Sequence, residues 1–84
     1  MYDENSLQKI GSNISLLRTM REINQGELAK NLNISQTHMS NIEHGRVQVT
    51  LRLLLRMANV FQCRLDDFLE MSLRFADEKG MDEE

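Results

Sequence analysis

The sequence predicts an all-α domain, a compact bundle of five short helices. Three observations carry that expectation. The 84 residues include no proline and only 5% aromatics, whereas strands favour β-branched and aromatic side chains. The chain is rich instead in Leu, Met and Arg, which favour helices. Its apolar residues recur at spacings of three and four, the period of an amphipathic helix. The length fits one domain, with a modest core.

The elements follow in order. The first helix spans residues 6–21, with Ile10, Ile14 and Leu17 on one face and Met20 as a further candidate for it. Glu22 and Ile23 lead out. Asn24 caps a second helix over residues 25–31, since its side-chain oxygen can satisfy N–H groups of the first turn. Asn33 falls where the chain must turn sharply, and Asn accepts a left-handed backbone. Ser35 caps a third helix over residues 36–44, and Gly45 ends it. Thr50 caps a fourth over residues 51–61. A fifth begins near Leu65, includes Phe68 and Leu69, and continues toward Arg74 or Phe75. The helical domain is thus expected over residues 1–76, with its core at about 6–73. An acidic, solvated tail follows over residues 77–84.

The formal net charge is −3, but it is unevenly spread. Residues 1–62 hold seven Lys and Arg against five Asp and Glu; residues 63–84 hold three against eight. A basic body with an acidic tail is compatible with binding a polyanion on one face. No apolar run approaches the roughly 18 residues of a membrane span, and the polar N-terminus does not read as a secretory signal. The lone Cys63 cannot form an intrachain disulfide, which suits a reducing cytoplasm. Catalytic patterns are absent: no phosphate-cradling glycine loop, no paired His with a carboxylate, no Cys–His pair with an orienting partner. His38 and His44 are six apart, unsuited to one metal on one helix face. The expectation is therefore no enzyme, no metal, no cofactor, no membrane partner and no small-molecule ligand.

The informative segment is QGELAKNLNISQTHMSNIEH, residues 25–44. Two short helices separated by about three residues cross at a steep angle. That crossing needs a small residue, and Ala29 stands there. Leu28, Leu32, Ile34, Met39 and Ile42 form the inner surface. Gln36, Thr37, Ser40 and Asn41 are left on the outer face of the third helix, short, polar and amide-rich. A helix that enters the major groove to read base edges needs such a face. The plain alternative is a polar surface on an ordinary helical domain.

More of the chain then joins the pattern: Ile10-Gly11-x-x-Ile14 and Leu17-Arg18; Asn24-Gln25-x-Glu27-Leu28-Ala29; Ile34-Ser35-Gln36; Met39-Ser40-x-Ile42-Glu43-x-Gly45-Arg46; Leu51-x-x-Leu54-Leu55-x-Met57-Ala58; and Leu65-Asp66-Asp67-Phe68-Leu69. This ordered set, running without a gap from about Ile10 to Leu69, resembles the phage-repressor and Cro type of domain, the xenobiotic-response-element-like helix-turn-helix family. The resemblance implies a five-helix, lambda-repressor-like fold and a sequence-specific regulator of transcription bound to double-stranded operator DNA. There are departures at caps and turns. The family often has Pro where Val49 stands, Gly where Asn33 and Gln62 stand, and Ser or Thr where Arg64 stands. Gly26 replaces a better helix former.

The candidate residues divide by role. Gln36, whose amide matches the N6 and N7 edge of adenine, Thr37, with a methyl for thymine, and Asn41 are base readers, with Ser40 beside them. The resemblance implies that Gln25 holds a backbone phosphate at the start of the second helix. Asn24 does the same or simply caps. His38 and Ser40 face either phosphate or water, as do Arg46, Thr50 and Arg52. Arg18 and Glu43 form a pair in related domains and, with Ala29, would support the recognition helix. A single helix reads too few base pairs to single out a site, so a homodimer on a palindrome is expected. Its surface would be the fifth helix and its extension, through Phe68, Met71, Ser72 and Phe75, with Leu69 and Leu73; the alternative is that these residues cover the domain's own core, as Leu65, Phe68 and Leu69 at least partly do. The rival function is a protein-interaction module, an antitoxin or coactivator, for which the acidic tail would serve. The resemblance implies that Cys63 stands where the family usually has an apolar core residue.

Overall fold

The computed structural model describes residues 4–69, which form helices joined by turns and short irregular segments. Four helices run α1 (Glu4–Met20), α2 (Gln25–Leu32), α3 (Gln36–Glu43) and α4 (Leu51–Phe61). A fifth, α5, begins at residue 65 and is helical through residue 69. The core gathers Ile10, Ile14 and Leu17 from α1, Leu28, Ala29 and Leu32 from α2, Met39 and Ile42 from α3, four apolar residues and Ala58 from α4, and Phe68 from α5. α3 packs against both α1 and α2, and α4 against α2. Phe61 and Phe68 meet in a tilted ring contact, centroids 6.1 Å apart.

The helix starts follow from local chemistry. Asn24 Oδ1 accepts the Glu27 N–H at 2.7 Å, and the Glu27 carboxylate reaches back to the Asn24 N–H at 3.4 Å, completing a capping box. Ser35 Oγ caps α3 through the His38 N–H, and Thr50 Oγ1 caps α4 through the Leu53 N–H. At α5, Arg64 has no capping oxygen in its side chain. Asp67, three residues on, accepts the Arg64 N–H instead at 3.1 Å.

The helix ends share one device. After α1, α2, α3 and α4 a left-handed residue stands just past the helix: Glu22, Asn33, Gly45 and Gln62. Each donates to the carbonyl three residues back, and the residue after it donates five back, as Ile34 to Ala29 and Arg46 to Asn41. These are Schellman turns, in which the residue after the left-handed one often packs on the helix it has left. Ile23, Ile34 and Cys63 hold that place and rest on the core. Cys63 is therefore a half-buried apolar plug rather than a central core residue. Burial pushes its thiol up, the Asp67 carboxylate adds to the shift, and Arg21 opposes it.

Only one of the four left-handed positions is glycine, and an L-residue there costs about 1 kcal/mol or more. Gln62 (φ 53°) is exposed, and its side chain makes no bond in the structure beyond its backbone turn. Gln62→Gly is expected to raise stability by about 0.5–1 kcal/mol once the entropy of glycine is offset. Urea unfolding would show this as a higher midpoint at unchanged slope. A lower midpoint would contradict it.

Two expectations are corrected. Met20 is exposed. It lies about 80–90° round the helix from the Ile10–Ile14–Leu17 line, on which Arg21 falls instead. Arg21 uses that place to donate from Nε to the Phe61 carbonyl at 2.9 Å, tying the end of α1 to the end of α4. Phe68, named for the dimer surface, is wholly buried in the chain's own core, the alternative place for it. Met71, Ser72, Leu73 and Phe75 lie outside the described residues, as does the acidic tail. Leu69 is exposed.

Candidate nucleic-acid interface

The sequence of α3 divides it into an inner and an outer side. Met39, Ile42 and Glu43 are buried; Gln36, Thr37 and His38 are exposed; Ser40 and Asn41 are half-buried. The helix is held from behind by α1. At their crossing, Gly11 has no side chain, and a Cβ built there would stand 2.5 Å from the Ile42 and Glu43 carbonyl oxygens. Gly45 does the same one turn away: it is left-handed, and a Cβ there would meet Gln8 at 2.8 Å.

A line of four polar side chains then joins the helices. Arg18 on α1 donates from Nε to Glu43 Oε2 at 2.8 Å and from Nη2 to Oε1 at 3.2 Å. Its Nη1 donates to the Ile23 carbonyl at 2.9 Å. This is the two-pronged guanidinium–carboxylate geometry that fixes orientation as well as adding energy. Side-chain exposures of 16% for Arg18 and 5% for Glu43 place the pair largely out of water. Glu43 Oε1 also accepts from Gln25 Nε2 at 3.1 Å, and Gln25 Oε1 accepts from Gln36 Nε2 at 3.4 Å. Arg18 and Glu43 thus form a pair, and the line of bonds runs on through the start of α2 to the first residue of α3. Gln25, expected as a free phosphate ligand, is half-buried inside this line. Ala29 is buried, as its place at the crossing requires.

The other outer residues pair within their own end of α3. His44 Nδ1 lies 2.8 Å from the Ser40 carbonyl and 3.4 Å from its hydroxyl. Arg46 Nη1 donates to Asn41 Oδ1 at 3.3 Å, so the base-reading and phosphate candidates are neighbours there. Thr37 and His38 are open. Asn24 and Thr50 use their side-chain oxygens as caps, and Arg52 is exposed in the first turn of α4. The first turns of α2 and α4 carry N–H groups suited to an anion. Among the described residues no cluster of three potential metal ligands occurs, and no helix is long and apolar enough to cross a membrane.

Three supporting residues were given no role in the sequence reading. Gly11 and Arg21 are two. Asn13, buried on the core side of α1, donates from Nδ2 to the Phe68 carbonyl at 2.6 Å and anchors α5. A polar residue between Ile10 and Leu17 on an otherwise apolar helix face was the available signal for it.

Comparison with known proteins agrees with this arrangement. Residues 14–68 match a family model described as helix-turn-helix, HTH_3. The chain is 31% identical over 75 residues to the ImmF control region 10 kDa protein of Bacillus phage phi105, covering 89% of this chain and 83% of that protein. The restriction-modification controller protein C.AhdI of Aeromonas hydrophila superposes with a TM-score of 0.72 at 23% identity, covering 76% of this chain and 97% of its own. The clp gene regulator ClgR of Corynebacterium glutamicum does so with a TM-score of 0.72 at 25% identity, covering 86% and 82%.

Proposed function

The chain belongs to the helix-turn-helix (HTH_3) family and is a DNA-binding transcriptional regulator, and from that premise we propose that it represses or autoregulates transcription as a homodimer on a palindromic operator. α3 lies in the major groove, with Gln36, Thr37 and Asn41 reading base edges and Ser40 beside them. His38, Arg46 and Arg52 contact phosphate, together with the first turns of α2 at Asn24 and Gln25 and of α4 at Thr50. Gln25 acts mainly by holding Gln36, with one amide N–H left for phosphate. The setting is cytoplasmic, where such DNA is found.

The observation that carries this reading is the two-sidedness of α3. Its inner side is held by Met39, Ile42 and the Glu43 network, while Gln36 and Thr37 project outward from it. Such polar side chains on a rigid support are preorganised for base contacts. The names of the relatives, a phage control-region protein and a restriction-modification controller, favour a regulator of its own locus.

Selection from random duplex oligonucleotides with purified protein tests the proposal. The expected outcome is an enriched palindrome that is lost in the Gln36→Ala/Asn41→Ala variant. No enrichment, with a folded protein that captures a protein partner instead, would move the assignment to the interaction-module class. Two recognition helices reading successive major grooves stand about 34 Å apart, so the dimer is tested alongside. Sedimentation equilibrium at high micromolar concentration is expected to show twice the monomer mass, through Leu69 and the residues after it. A full-length chain that stays monomeric there would refute the homodimer.

A further inference from the structure

Gly26 is the second residue of α2, inside a capped helix where alanine is the better helix former. No unusual backbone explains the glycine, since Gly45 is the only glycine with a positive φ among the described residues. The explanation on the page is side-chain space. A Cβ on Gly26 would stand 3.2 Å from Gln36 Oε1, 3.6 Å from Gln36 Cδ and 3.6 Å from Asn24 Oδ1. The missing methyl leaves a shallow recess over the first turn of α2. The Gln36 carboxamide lies against it, with Nε2 3.4 Å from Gln25 Oε1.

We propose that Gly26 is a positioning residue for operator reading: its bare Cα lets the Gln36 carboxamide settle on α2, which sets the base preference at the pair Gln36 reads. This rests on the assignment of Gln36 as a base reader. The neighbours of Gly26 are the ends of side chains, and Gln36 is exposed, so an added methyl displaces the amide rather than a helix. A shift of a few tenths of an ångström breaks a Gln36–Gln25 bond that is already long. It also spoils the two-point geometry an amide needs on adenine.

The test uses the full chain as Gly26→Ala, Gln36→Ala and the double variant, on the selected operator and on versions altered at the Gln36-dependent pair. Gly26→Ala is expected to unfold at the same or a higher temperature than the parent protein. It is expected to lose about tenfold in affinity and to flatten the preference at that pair alone. In the Gln36→Ala background the added methyl should change affinity by less than about twofold, because its target is gone. An equal loss in both backgrounds would overturn the proposal, since the methyl would then act on the DNA backbone. So would an unchanged base preference in Gly26→Ala, or a fall of several degrees in its unfolding temperature. If Gln36→Ala itself keeps the parent preference, the base-reading assignment fails, and the proposal with it.

Discussion

Gly11→Ala is expected to unfold the domain or bring it close to unfolding. The added Cβ would stand 2.5 Å from two backbone carbonyl oxygens and 2.8 Å from the Glu43 carbonyl carbon. Those atoms belong to α3, so no rotamer change relieves the contact. α1 would have to lift, and Ile10, Ile14 and Met39 would lose their close packing at the crossing. Interiors are dense enough for such a shift to be felt throughout. Overpacking costs about 1–3 kcal/mol where side chains can adjust; against rigid backbone the expected cost is about 3 kcal/mol or more. In a domain of this size each kcal/mol moves the melting temperature by about 4–8 °C, so circular dichroism should show a fall of more than about 12 °C. Intrinsic helix propensity argues the other way, favouring alanine by about 1 kcal/mol. A melting temperature equal to or above that of the parent would mean that α1 is not held against α3 in the described way.

Glu43→Ala is expected to lower both stability and DNA affinity. It removes the acceptor of two Arg18 bonds and one Gln25 bond. Arg18 would keep the Ile23 carbonyl but leave a mostly buried cation without its counter-ion. Breaking a buried pair from one side costs about 3–5 kcal/mol; the residual exposure of Arg18 lowers the expectation to about 2–4 kcal/mol. The decisive comparison is the double variant Arg18→Met/Glu43→Met. Replacing both charges by apolar groups of similar length removes the unpaired cation, so most of the stability should return. DNA affinity should stay low, because Gln25 and, through it, Gln36 lose their orientation. Recovery of full affinity in the stable double variant would reduce the network to a packing role. Thermal unfolding of Glu43→Ala identical to the parent would remove the pair from the account altogether.

The contrast between glycines shows where pattern reading stops. Gly11, Gly26 and Gly45 look alike in a sequence. Gly11 meets backbone and Gly26 meets the tip of a flexible amide. Gly45 supplies a left-handed turn, the one role that sequence position alone suggested. Likewise Gln25 reads as a helix-start residue free for phosphate, and only the approach of α3's two ends brings Glu43 and Gln36 to either side of it.

The helices, their starts and most of their stops were determined by the sequence alone. Capping and turning involve residues three to five apart, so Asn24, Ser35, Thr50, Asn33 and Gly45 act in their own neighbourhoods whatever the rest of the chain does. The polar outer face of α3 was legible for the same reason, as the remainder once the apolar positions of one short helix are removed. The tertiary structure decided what depends on how helices cross. It put Arg21 on the Phe61 carbonyl, buried Asn13 under α5 and drew Phe68 wholly into the core. It also joined Arg18, Glu43, Gln25 and Gln36 into one support. Those contacts span up to 55 residues of chain, and no local periodicity encodes the angle and separation at which two helices meet.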